Sequence, residues 1–230
     1  MKGYCVMSQL QSDKYNIAWF KLAEFVSRKE KERALGIYKL LIHSLPTDAI
    51  AAQLEGDLLL SFHDEKALQS YSRAVELYEQ TEDYIKALAV CEHCLTLVPD
   101  SMYHVERSVR LYLLIGDKDK ARHYADRLGK MLAIKKDTER NAFLMADHTI
   151  DHDCRLRIAH SFVIESLDHN PTSCALVEKP LTFVLQSYAA ESSKKLNSFL
   201  VALESIDQAT FSWATKYIKS DDFEKKGGKK

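Results

Sequence analysis

Residues 87–99 read ALAVCEHCLTLVP, and the spacing of their small, apolar and proline residues occurs three times in the chain. Steps of four, three and five residues separate Ala87, Cys91, Cys94 and Pro99. The same steps recur in two further sets, Ala34, Tyr38, Leu41 and Pro46, and Ala159, Val163, Ser166 and Pro171. Steps of three and four place side chains on one face of an α-helix, and a proline disfavours helix in the residue before it. Each set therefore predicts an amphipathic helix that ends near its proline.

Few residues in the chain break helices. The 230 residues include only 7 Gly and 4 Pro, which is sparse for a β-sandwich or for an enzyme with glycine-rich loops. Polar residues that cap helix N-termini follow three of the prolines, at Thr47-Asp48, Asp100-Ser101 and Thr172-Ser173. The sequence therefore predicts an all-α fold, with helices over residues 16–28, 30–45, 48–61, 65–80, 83–98, 101–115, 118–132, 138–149, 152–168, 173–187, 190–204 and 207–219.

The central part of the chain resembles the tetratricopeptide repeat family. Ala87 and Ala121 are 34 residues apart, which is the length of that repeat. Matching first helices precede them, with Tyr71, Ala74, Val75 and Tyr78 in one and Val105, Ser108, Val109 and Tyr112 in the next. The step from Ala67 to Ala87 is only 20 residues, so the array is expected to be irregular.

The resemblance implies a right-handed solenoid of antiparallel helix pairs over residues 15–134, preceded by an N-terminal segment over 1–14. We expect residues 135–220 to add a further, looser repeat and helices that cap the end of the array. We expect a loop over 131–138, with a break in curvature near it, and a flexible charged tail over 221–230.

The same resemblance implies a function in binding. Stacked helix pairs form a concave surface, and in the family the first helix of each pair lines it. We therefore expect a scaffold or adaptor that holds a peptide or helix of another protein in this groove, with a dedicated secretion or assembly chaperone as the alternative. The side chains expected to line the groove are Trp19, Gln53, Asp57, Arg73, Glu76, Tyr103, Arg107 and Arg110.

Three of these side chains, Arg73, Arg107 and Arg110, could together form a small basic patch that suits a carboxylate or an acidic peptide. The other interpretation of all eight residues is that they are solvated helix faces with nothing bound.

The densest group of possible metal ligands is the stretch from Asp147 to Cys154. His148 and His152 are four residues apart, and this spacing on one helix can chelate zinc. The stretch falls at a predicted turn, where aspartates act as helix caps. The dipeptide His152-Asp153 is similar to that of the HD phosphohydrolases, but no further ligands of such a site are supported. We predict no metal, no cofactor and no catalysis, with a metal-dependent all-α hydrolase as the weaker alternative.

Charge, cysteine content and hydropathy restrict the partner and the compartment. The formal net charge is −1, so no strong field favours nucleic acid. The five cysteines are odd in number and scattered, which argues for reduced thiols. No apolar run is long enough for a membrane span, and the first ten residues lack the apolar core of a signal peptide. We expect a cytoplasmic protein whose partner is another protein, and the oligomeric state stays open.

Overall fold

The computed structural model describes residues 16–169, 174–220 and 223, and over these residues it contains twelve α-helices and no β-strand. The prediction of an all-α chain is confirmed. The helices divide into two compact units, and the division falls between Pro99 and Asp100 in the sequence. Most helices pack against their neighbours in the chain, as in a helical-repeat fold. The right-handed sense of the predicted solenoid stays a prediction.

The first unit ends at Pro99. Its helices are α1 (residues 16–27), α2 (Lys31–Leu41), α3 (Asp48–Ser61), α4 (Ala67–Gln80) and α5 (Tyr84–Leu97), with a short 3-10 helix (Ile42–Ser44) after α2. Thr47 caps the N-terminus of α3, where its side chain accepts a hydrogen bond from the Ile50 amide. Helices α3 and α4 run antiparallel, because Tyr71 contacts Asp57, whereas Tyr78, about two turns further along α4, contacts the earlier residue Gln53 of α3.

The second unit begins at Asp100. Its helices are α6 (Met102–Ile115), α7 (Lys118–Lys135), α8 (Thr138–Ala146), α9 (His152–His169), α10 (Cys174–Glu191), α11 (Ser193–Ile206) and α12 (Gln208–Ile218). Helix α7 packs more extensively against α9 than against α8, which lies between them in the sequence. Helices α7 and α9 approach closely at Gly129, where an added Cβ would lie 2.4 Å from the carbonyl oxygen of Ile158. Any larger residue there would meet backbone that cannot rotate away.

The positions picked out by the repeated spacing form the core. Ala34, Tyr38 and Leu41 of α2 are buried. Together with Leu22 of α1 and Leu58 of α3 they form one hydrophobic cluster. The equivalent residues of α5 and α9 are also buried: Ala87, Cys91, Cys94, Ala159, Val163 and Ser166. Cys154, near the start of α9, is buried too, so among the side chains that the structure describes three free thiols lie inside the two units. The spacing therefore marked the faces by which the helices pack.

The predicted loop over 131–138 is wrong, because α7 continues to Lys135. Leu132 and Ala133 are buried, so packing holds this extra turn in the helix. The connection is reduced to Lys136, with a left-handed φ of 55°, and Asp137, whose carboxylate caps α8.

Other helix ends also differ from the sequence prediction. Helix α8 stops at Ala146, because Asp147 accepts hydrogen bonds from the amide and hydroxyl of Thr149 and so closes a turn. Helix α10 continues past residue 187 to Glu191, with Pro180 inside it.

The predicted N-terminal segment 1–14 lies outside the described residues, as does the predicted tail 221–230 apart from Phe223. Within the described residues, no helix combines the length and the apolar character that a membrane crossing needs.

Candidate functional site

A groove lies between α3 and α5 in the first unit, with α4 beneath it. Its volume is about 340 Å³. The lining side chains come from all three helices and are Gln53, Asp57, Tyr71, Lys86, Ala89, Val90 and His93. We call this surface the α3–α5 groove. Two of the residues predicted from the sequence to bind a partner, Gln53 and Asp57, lie in it.

Two buried tyrosines of α4 hold these two side chains in place. The Tyr71 hydroxyl donates a hydrogen bond of 2.7 Å to Asp57 Oδ1, and the Tyr78 hydroxyl donates one of 2.9 Å to Gln53 Oε1. Burial raises the pKa of Tyr71, and the hydrogen bond to the Asp57 carboxylate raises it further. Burial also raises the pKa of Tyr78. Both phenols therefore stay protonated at neutral pH and act as permanent donors.

The position of the Tyr71 ring depends on Gly56 of α3. A Cβ atom at residue 56 would lie 2.6 Å from two carbons of this ring, so only glycine leaves room for it. The imidazole of His93 on α5 also contacts the Tyr71 ring, with centroids 5.2 Å apart and planes at 83°. The ring thus packs between α3 and α5 and forms the base of the groove.

The α5 wall carries three kinds of side chain at helical spacing. Lys86 pairs with Asp83 and lies over the Tyr78 ring, 5.7 Å from its centroid. Val90 supplies a buried apolar surface, and His93 an imidazole. A carboxylate and an amide on α3 therefore face an ammonium group and an imidazole on α5. This arrangement can hold backbone amides and side chains of either charge.

The other residues predicted from the first unit lie elsewhere. Arg73 and Glu76 of α4 are exposed. Arg73 is two residues from Tyr71, which turns it about 200° around the helix and away from the groove base. Trp19 lies on α1 and is 40% exposed, next to the more exposed Phe20. Of the five binding residues predicted in this unit, the α3–α5 groove therefore brings together Gln53 and Asp57. The other three lie outside it.

Tyr103, Arg107 and Arg110 lie on α6 in the second unit. The Arg107 guanidinium lies over the Tyr103 ring, 5.3 Å from its centroid. Both terminal nitrogens of Arg110 already donate within the chain, to Glu106, Asp147 and Thr149. Arg110 therefore ties the turn before α9 to α6. Arg73 belongs to the other unit, so a basic patch formed by the three arginines stays a prediction.

The candidate metal ligands do not share a helix face. His148 is exposed in the turn before α9, with Nδ1 3.3 Å from an Arg155 nitrogen, whereas His152 begins α9 and contacts Ser187. Asp151 accepts a hydrogen bond from the Cys154 amide and Asp153 pairs with Arg122. In residues 16–169, 174–220 and 223, no three His, Cys, Asp or Glu side chains are grouped to hold a metal ion.

The sequence did not identify Lys86 and His93 as groove residues, nor Tyr71 and Tyr78 as the residues that hold Asp57 and Gln53 in place. A signal was present, since Lys86, Val90 and His93 are spaced by four and three residues and so share one face of α5. That face could be recognised as a groove wall only once α3 was known to lie opposite.

Comparison with known proteins gives a short match to a curated protein. No model of a protein family matches the chain. Over 78 residues the chain is 38% identical to a Drosophila melanogaster protein described as "BBSome complex member BBS4 homolog". The match covers 34% of this chain and 15% of that protein, so the chain spans only a small part of its relative. The chain is thus similar to a member of a protein complex.

Proposed function

We propose that this chain is a protein-interaction scaffold that holds a segment of a partner protein in the α3–α5 groove. The observation that carries the proposal is the pair of hydrogen bonds by which Tyr71 and Tyr78 fix Asp57 and Gln53 opposite the α5 wall. Side chains held in their binding positions lose little conformational freedom when a ligand arrives, which favours binding. The proposed role involves no catalysis by the chain itself.

The size and chemistry of the groove suit a peptide segment. A volume of about 340 Å³ accommodates a few side chains. Asp57 can accept hydrogen bonds from backbone amides, and the Gln53 amide nitrogen can donate to a backbone carbonyl, because its oxygen is already bound by Tyr78. Val90 offers an apolar contact between the polar groups.

The similarity to a BBSome complex member supports a partner within a multi-protein assembly. We therefore propose that the partner is another subunit of such an assembly and that the chain acts in the cytoplasm. The described residues offer no feature that favours the alternatives of a secretion chaperone or a metal-dependent hydrolase.

Site-specific photo-cross-linking tests the proposal. The photoreactive amino acid p-benzoylphenylalanine is placed at Lys86 or His93 in the groove, and at Arg73 on the other side of α4 as the matched control. We expect both groove positions to give adducts with the same partner protein and Arg73 to give none. Adducts from Arg73 in equal yield, or none from the groove, would show that the groove is not the binding site.

A further inference from the structure

A second groove lies in the second unit, where α9 and α11 face each other with α7 alongside. Its volume is about 670 Å³, roughly twice that of the first. We call it the α9–α11 groove and define it by Lys130 of α7, Leu156, Arg157 and His160 of α9, and Lys194 and Phe199 of α11. None of these residues is among the binding or metal-ligating residues predicted from the sequence.

The floor of this groove is apolar and rigid. Leu156 and Phe199 are each 3% exposed, and the His160 ring packs on Phe199 with centroids 5.0 Å apart. The hydroxyl oxygen of Tyr188, on α10, lies 2.8 Å from His160 Nδ1. Burial lowers the pKa of His160 and raises the pKa of Tyr188 to about 12, so at neutral pH the phenol donates to an uncharged imidazole. The floor can thus bury an apolar side chain without leaving a charge unpaired.

The rim carries a surplus of positive charge. Its two carboxylates are already neutralised, Asp126 by Arg157 at 3.0 Å and Asp153 by Arg122. Lys130 and Lys194 line the groove and are exposed. Within the part of the chain that the structure describes, neither ammonium group has an acidic partner. These two cations can therefore pair with anionic groups of a ligand.

We infer that the α9–α11 groove binds an acidic segment of a partner protein, with an aliphatic or aromatic side chain of that segment on the Phe199 floor and its carboxylates at Lys130 and Lys194. Two exposed ammonium groups are too few for a continuous polyphosphate such as nucleic acid, whose binding rests on many phosphate contacts, and a concave floor disfavours a flat lipid surface. This site shares no residue with the α3–α5 groove, so its failure would leave the proposed function untouched.

Fluorescence anisotropy on the purified full chain tests this inference. The probe is a fluorescein-labelled peptide, Glu-Glu-Leu-Phe-Glu-Glu, and the comparison peptide carries Lys in place of Glu. We expect saturable binding of the acidic peptide only. The double variant Lys130→Glu/Lys194→Glu should weaken it about tenfold, because two attractive charge pairs become repulsive. Lys118→Glu/Lys179→Glu changes the charge equally at exposed positions outside the groove and should bind as the wild type does.

A second variant tests the apolar part of the site without changing charge. Ser198 is exposed and lines the groove, so Ser198→Trp should fill the groove while leaving the helical circular dichroism unchanged, and should abolish binding. Unchanged affinity in both groove variants, or no saturable binding up to about 1 mM peptide, would overturn the inference. Tighter binding of a single-stranded DNA oligonucleotide than of the peptide would also overturn it, because the ligand class would then be polyphosphate.

Discussion

The ring of Tyr71 lies against Gly56, with two ring carbons 2.6 Å from the place that a Cβ atom at residue 56 would take. The ring cannot swing aside, because it is 1% exposed and its hydroxyl is held by Asp57. This contact joins α3 to α4 and sets the base of the α3–α5 groove at the same time.

Gly56→Ala is therefore expected to destabilise the first unit, although alanine favours helix. Forcing a methyl group into this contact costs about 1–3 kcal/mol, against a gain of about 1 kcal/mol in helix propensity. Gly36 provides the matched control, because it is also within a helix and nothing lies within 4 Å of its added Cβ. Urea unfolding should show a lower free energy of unfolding for Gly56→Ala and a higher one for Gly36→Ala than for the wild type. A gain at both positions would mean that the Tyr71 ring moves freely.

Arg110 is expected to matter for stability more than for partner binding. Its ion pairs with Glu106 and Asp147 are largely shielded from solvent, and Glu106 also pairs with Arg140 at 2.6 Å. Arg110→Met leaves two carboxylates without this partner, and we expect a loss of about 2 kcal/mol in the free energy of unfolding. Arg107→Met, three residues away on the same helix, is the control for loss of a guanidinium. Equal losses in the two variants would contradict the structural role of Arg110.

Asp147 should contribute a measurable pH dependence. The Thr149 hydroxyl and amide, and then Arg110, lower the pKa of the Asp147 carboxyl to about 2. Because the pKa in the folded state is below that in the unfolded state, the stabilisation is complete above about pH 5 and is lost as the pH falls toward 2. Allowing for solvent screening, its size is about 1–2 kcal/mol. Urea unfolding between these pH values should show a smaller dependence for Asp147→Asn than for the wild type. The same pH dependence of the free energy of unfolding in both proteins would show that folding does not change the pKa of this carboxyl group.

Removing one hydroxyl from α4 should weaken partner binding through Gln53. Tyr78→Phe keeps the buried ring but releases Gln53 Oε1, so the amide is no longer held toward the groove. We expect a loss of about 1 kcal/mol, or roughly fivefold in affinity, for the partner identified by cross-linking. Tyr84→Phe, at the start of α5 and outside the groove, is the control and should bind normally. Isothermal titration calorimetry measures both, and unchanged affinity in Tyr78→Phe would remove Gln53 from the binding site.

The helices could be predicted from the sequence because their signal is local. The positions of Ala87, Cys91 and Cys94 follow one helix face, and that face is buried whatever it packs against. The groove could not be predicted in the same way, since Gln53 and His93 become neighbours only through the packing of α3, α4 and α5. Arg110 shows the same limit. The sequence predicted it in a basic patch open to a partner, but Asp147, 37 residues further on, folds back to bind it.

The buried cysteines allow the opening of each unit to be measured separately. Cys91 and Cys94 lie in the core of the first unit and Cys154 in that of the second. Burial raises the pKa of Cys94 to about 11 and raises that of Cys154 as well, so a thiol reagent can modify these residues only when their helices open. With Cys5 and Cys174 replaced by serine, the alkylation rates at the remaining cysteines would report on the two units separately. The rate at Cys91 and Cys94 would measure how often the first unit, with its α3–α5 groove, opens, and the rate at Cys154 would measure the same for the unit that contains α9.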